Sequence, residues 1–126
     1  APTDPQRDAL VRDVLDHLGQ IAARRGLRYT LEESMRAAAA PSAPALQHHW
    51  ERAVDHLGVP VFRMPSGAGH DAMKLHEIMP QAMLFVRGEN SGISHNPLES
   101  TTNNDMQLAV DAFTQVLHQL AEEQQP

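Results

Sequence analysis

At 126 residues the chain is about one domain long, and its 41% hydrophobic content is ample for a packed core, which argues against disorder. Its formal charge is −6 and its ten Lys and Arg are scattered, with Arg24 and Arg25 the densest pair, so no basic stripe exists to follow a phosphate backbone and nucleic acid is not the expected partner. The absence of cysteine excludes disulfides and thiolate metal sites, no apolar run approaches the roughly 20 residues of a membrane span, and the opening APTDPQRDAL has neither region of a signal peptide, so a soluble, cytoplasmic protein is expected.

The first element carries full helix punctuation: Asp4 as N-cap, Pro5 at the first helical position and Gly26 just past the end. Leu10, Val14, Leu18 and Ile21 fall on one stripe with Val11, Leu15 and Ala22 beside it, which predicts a helix from about Pro5 to Arg25. LRYTLEE then alternates Leu27, Tyr29 and Leu31 with Arg28, Thr30 and Glu32, the pattern of a half-buried strand. RAAAAPSAP is rich in Ala, Pro and Ser and reads as a link, with a domain boundary near Pro41.

From Ser42 a second helix turns Leu46, Trp50, Ala53, Val54 and Leu57 inward and stops at Gly58. VPVFRM is expected as a short strand, PSGAG as a glycine loop, and the residues from about Gly69 to Met79 as a helix ended by Pro80. AMLFV is a continuous apolar run of the kind buried on both faces of a parallel sheet, and it opens into the loop RGENSGISHNP. Asn103 or Asn104 is expected to cap a final helix in which Ala109, Phe113, Val116, Leu117 and Leu120 recur at helical spacing. The order suits an α/β layer after the linker, whereas one helix and one strand before it bury too little to stand alone. The chain therefore reads as truncated at its N-terminus.

Two stretches carry chemistry. In MPSGAGHDAM the glycines let a backbone approach a ligand, and the following helix start offers unpaired N–H groups to a carboxylate or urea-like group; the same glycines also serve a plain tight turn. His70 and Asp71 are adjacent and diverge by about 100° on a helix, while His70 and Lys74 share a face. His76 follows His70 by six residues and lacks the spacing of a helical histidine pair, so it reads as a surface residue. In GISHNPLES, His95 sits just past the apolar run, where α/β folds place functional groups, and Ser94, Asn96 or Glu99 are candidates to order its loop. His17, His48, His49, His56 and His118 lie on amphipathic helices and read as solvated.

MPSGAGHDAM, then AMLFVR, then GISHNPLES resembles the C-terminal signature of the hydantoinase/carbamoylase amidohydrolases. That group spans N-carbamoyl-L-amino-acid hydrolases, allantoate amidohydrolases and β-ureidopropionases, within the dimetal aminoacylase and carboxypeptidase superfamily. DPQRDALVRDVLDHLGQIAARRGLRYTLEE resembles the second half of the family's lid. The resemblance implies residues 1–40 as part of a lid and dimerisation domain and residues 41–126 as the C-terminal part of the catalytic domain, a mixed sheet with flanking helices.

By the same resemblance His95 is the last protein ligand of a two-metal centre, Ser66, Gly67 and Gly69 approach the substrate, and His70 and Asp71 support that loop. The remaining ligands, the general-base Glu and the arginine that grips the substrate carboxylate are implied to lie upstream of Ala1. The implied activity is hydrolysis of a carbamoyl or ureido C–N bond by a homodimer. Two divalent ions, zinc or manganese or alternatively cobalt or nickel, would polarise the urea carbonyl and lower the pKa of a bridging water. A non-catalytic binding or dimerisation module, and a dimetal peptidase or deacylase, are the competing expectations.

Overall fold

A computed structural model describes residues 3–123; the outermost ends of both expected domains, residues 1–2 and 124–126, lie outside them. The chain divides into two compact units, one of Ala1–Pro41 with Met64–Ile78 and one of Ser42–Arg63 with Met79–Pro126.

In the first unit, α1 spans Asp4–Arg25. Its N-cap is Thr3, not the expected Asp4: Thr3 is extended and its hydroxyl accepts the Gln6 N–H at 3.4 Å. The Asp4 carboxylate is engaged elsewhere, accepting from Arg7 and from the Ala39 amide, each at 2.7 Å. Gly26 ends the helix as expected, left-handed at φ 63°, with Leu27 N–H donating to the Ala22 carbonyl at 2.9 Å. Arg7 also donates to the Ala37 carbonyl, and Arg36 bridges Glu33 and Asp8 at 2.7 and 2.8 Å. A mesh of guanidinium and carboxylate groups thus ties the segment after α1 to the helix, while Ala22 and Ala72 are the buried apolar residues among those described in this unit.

In the second unit α2, Pro44–His56, packs against α4, Asn103–Glu123. Small side chains set the approach: Ala53 and Ala112 are 0% and 2% exposed, Val116 is buried beside them, and Trp50, Leu57, Leu84 and Leu120 close the rim. Trp50 stacks on Phe113 at 5.9 Å with a 26° interplanar angle. The cap of α4 is Thr102, not Asn103 or Asn104: its hydroxyl accepts from the Asp105 amide at 3.0 Å and donates to the Asp105 carboxylate at 2.6 Å. His49, expected on a solvated face, is buried in this helix pair, with Nδ1 2.9 Å from Gln119 Oε1.

The expected α/β sheet is absent among the described residues. LRYTLEE, VPVFRM and AMLFV carry no regular secondary structure, and AMLFV is not buried on both faces, since Phe85 and Val86 are exposed. A strand needs a neighbouring backbone to accept and donate its ladder bonds, and none of these segments has one here.

Candidate substrate loop and histidine ligand

The glycine loop and His95 fall in different compact units. In the first, the helix after the loop is α3, only Ala72–Leu75, rather than the expected Gly69–Met79. Beyond Leu75 the amides of Glu77 and Ile78 bond to carbonyls three residues back, at 3.2 and 3.0 Å, so the chain tightens instead of extending the helix. Four residues give too small a dipole to serve as an anion site, which removes that part of the expectation.

Ser66 through Asp71 are all exposed. The Ser66 hydroxyl donates to the Ala68 carbonyl at 3.0 Å, shaping the turn from within. His70 accepts the Ala72 amide on Nδ1 at 3.1 Å, which leaves Nε2 to carry the proton of a neutral ring. Asp71 precedes α3 without a capping hydrogen bond from its side chain. Neither Gly67 nor Gly69 has a positive φ; a Cβ on Gly67 would meet nothing within 4 Å, and one on Gly69 only Met73 Sδ at 3.5 Å. The turn itself does not require either glycine, so any requirement for them arises from what the exposed loop meets.

His95 stands in a loop tied shut at its base. The Glu89 amide donates to the Ser100 carbonyl and the Ser100 hydroxyl to the Glu89 carboxylate, both at 2.9 Å, and Thr101 Oγ1 donates to the Arg87 carbonyl at 2.6 Å. Asn90 Nδ2 crosses the loop to the Leu98 carbonyl at 2.8 Å. Arg87 pairs with Asp105 at 2.6 Å, joining the loop to the start of α4. Within the loop Asn90, Ser91 and His95 are left-handed, at φ 50°, 63° and 55°, a region few side-chain-bearing residues occupy and in which Asn and His are commoner than Ser.

The His95 amide donates to Glu99 Oε2 at 2.8 Å, and its exposed ring hydrogen-bonds to none of the described residues. Of the three residues that sequence offered for ordering the loop, Glu99 holds His95 directly, while Asn96 accepts the Leu98 amide on Oδ1 at 2.9 Å. The four-residue spacing of His95 and Glu99 was the available signal.

Elsewhere, His56, His118 and Glu122 line a polar depression of about 200 Å³ between α2 and α4 with Arg52, Gln115 and Gln119. No group of three or more His, Asp or Glu able to hold a metal occurs among the described residues. Among the described residues His95 therefore belongs to no such group, and a metal there would take from them a single imidazole. No helix among the described residues is long and apolar enough to cross a membrane.

Comparison with known proteins identifies the relatives. The chain is 34% identical over 116 residues to an N-carbamoyl-L-amino acid amidohydrolase of Geobacillus stearothermophilus, covering 92% of this chain and 28% of that protein. It is 33% identical over 111 residues to an allantoate amidohydrolase of Bacillus subtilis, covering 87% and 26%. Over a shorter stretch of 58 residues it is 45% identical to an allantoate amidohydrolase of Escherichia coli, covering 46% and 14%. No solved structure gives a significant match. The chain thus spans about a quarter of the length of the first two relatives. Residues 2–119 match peptidase family M20/M25/M40, and the chain belongs to that family.

Proposed function

We propose that the chain is the C-terminal portion of a metal-dependent amidohydrolase that cleaves a carbamoyl or ureido C–N bond of an N-carbamoyl amino acid or allantoate-like substrate. The observation that carries this reading is His95: an exposed imidazole with unengaged ring nitrogens, set on a loop whose base is closed by its own hydrogen bonds. The names of the relatives support the amidohydrolase branch over a peptidase. In the intact enzyme two divalent ions would polarise the scissile carbonyl and supply a nucleophile at neutral pH.

This chain's part is to present the neutral His95 imidazole as one ligand and to bring the exposed Ser66–Gly69 backbone to the substrate, with His70 and Asp71 supporting that turn. The reading assigns residues 1–40 to a lid that pairs two subunits, and the segments LRYTLEE, VPVFRM and AMLFV to strands completed by the rest of the protein. The chain by itself supplies one ligand and is expected to be inactive. Metal analysis of the longer enzyme tests the reading: His95→Ala should lose one metal equivalent together with most activity. Retention of two tightly bound ions would remove His95 from the site.

A further inference from the structure

We propose that Glu99 is a positioning residue for His95, holding it through the backbone in the left-handed conformation from which its imidazole is presented. The proposal rests on the reading of His95 as a metal ligand given above.

At φ 55° His95 occupies a left-handed region that few side-chain-bearing residues adopt, His more readily than most, and the contacts around it decide how firmly it is held there. The fixing contact is the His95 N–H donating to Glu99 Oε2 at 2.8 Å, a charge-assisted bond. The backbone on the far side is set separately, by the Asn96 carbonyl accepting the Glu99 amide and Asn96 Oδ1 accepting the Leu98 amide, both at 2.9 Å. Binding the backbone rather than the ring matters chemically. A carboxylate on the imidazole itself would take one nitrogen and set the tautomer, whereas this one fixes the residue through its amide and leaves the ring without a hydrogen bond to the described residues.

The arrangement also makes Glu99 separable from the loop's integrity. The loop is closed by Glu89 to Ser100, Thr101 to Arg87 and Asn90 to Leu98, and none of these bonds uses the Glu99 side chain. Replacing that side chain therefore removes one bond and leaves the closure standing.

The test is NMR on the isotope-labelled 126-residue chain, as wild type, Glu99→Ala and Glu99→Gln. In Glu99→Ala the His95 amide should exchange about tenfold faster, the factor expected for loss of one hydrogen bond to a charged acceptor. The strong intraresidue amide-to-Hα cross-peak that marks a positive φ should weaken with it. Glu99→Gln keeps an oxygen acceptor at the same reach and should recover most of both signals. The amides of Glu89, Gly92 and Leu98 should not change.

Unchanged exchange at His95 in Glu99→Ala, no recovery in Glu99→Gln, or faster exchange with the cross-peak intact would each overturn the proposal. So would a loss spread evenly over Glu89, Gly92 and Leu98, which would mark Glu99 as a general loop support. Failure of the ligand reading is a separate result: two ions retained by His95→Ala in the longer enzyme would leave the Glu99 bond measured here unaffected.

Discussion

Two valines on one helix offer a controlled measure of what holds the second unit together. Val116 is 5% exposed in the α2/α4 contact, and Val110, six residues earlier on α4, is 58% exposed. Truncating either to Ala removes two carbons and raises helix propensity by a few tenths of a kcal/mol, so propensity cancels in the comparison. At Val116 the lost transfer energy is about 1.6 kcal/mol, and the part of the cavity that does not collapse raises the cost to about 2 kcal/mol. At Val110 little apolar contact is lost.

The single tryptophan provides the assay, since Trp50 stacks on Phe113 across the same helix pair and its fluorescence reports that pair. With a urea m value of about 1 kcal/mol/M for a unit this small, the midpoints of Val116→Ala and Val110→Ala should lie roughly 1–2 M apart, Val116→Ala the lower. Coincident midpoints would show that the α2/α4 contact is not the source of the unit's stability.

Further outcomes follow from local geometry. Thr102→Ala should destabilise α4 by about 1 kcal/mol, read from the same unfolding curves, because the Asp105 amide loses its acceptor; no change would dismiss Thr102 as the cap. Gly67→Ala and Gly69→Ala should not lower the thermal midpoint of this chain, since a Cβ meets open space or ordinary contact at these positions, while raising KM or abolishing turnover in the longer enzyme; unchanged kinetics would reduce the loop to a turn. Hydrogen bonds from Arg7, Arg36 and Arg63 hold the carboxyls of Asp8, Glu33 and Glu51, respectively, below the usual range. Each pair therefore contributes its stability above the ordinary carboxylate pKa and loses it as pH falls through the depressed folded value, and carboxyl carbon titrations of these three at ordinary values would refute the pairings. Amide exchange should be faster along α1, where Ala22 is the one buried residue, than along α4 with Ala112 and Val116 buried; equal protection in a demonstrated monomer would make the first unit self-sufficient.

What was legible in the sequence followed interactions closed within a few residues. Proline in the first turn, Gly26 and Gly58 as stops and the repeat of apolar residues located α1, α2 and α4 to within a residue or two of their observed ends. Caps were misassigned because several acceptors compete at each start, and at α1 a tertiary contact decides between them. Asp4 is drawn to Arg7 and the Ala39 amide, 35 residues along the chain, which leaves Thr3 to cap. His49 was misread because its helical position says nothing of the length of the side chain opposite, and Gln119 reaches it from α4. In the candidate loop, sequence singled out His95 and named Glu99 among its supports, but only coordinates distinguish a bond to the backbone amide from one to the ring.

The strands belong to another category, because their patterns describe surfaces and not bonds. Alternation in LRYTLEE and the unbroken AMLFV run state that Leu27, Tyr29, Leu31, Phe85 and Val86 suit covered faces, yet all five are exposed among the described residues. α4 carries the same message on a helix. Ala112 and Val116 are buried in the contact with α2, and Phe113 stacks on Trp50 at its edge, while Met106, Val110 and Leu117 on another side of α4 are each about half exposed. A helix apolar on two sides suits a position between two layers, and the chain shows one of them. The relatives it matches are more than three times as long, and on the function proposed above these faces meet a layer that the rest of such a protein supplies. The apolar pattern thus marks faces suited to being covered, whereas the ladder bonds that would make LRYTLEE, VPVFRM and AMLFV strands do not form among the described residues.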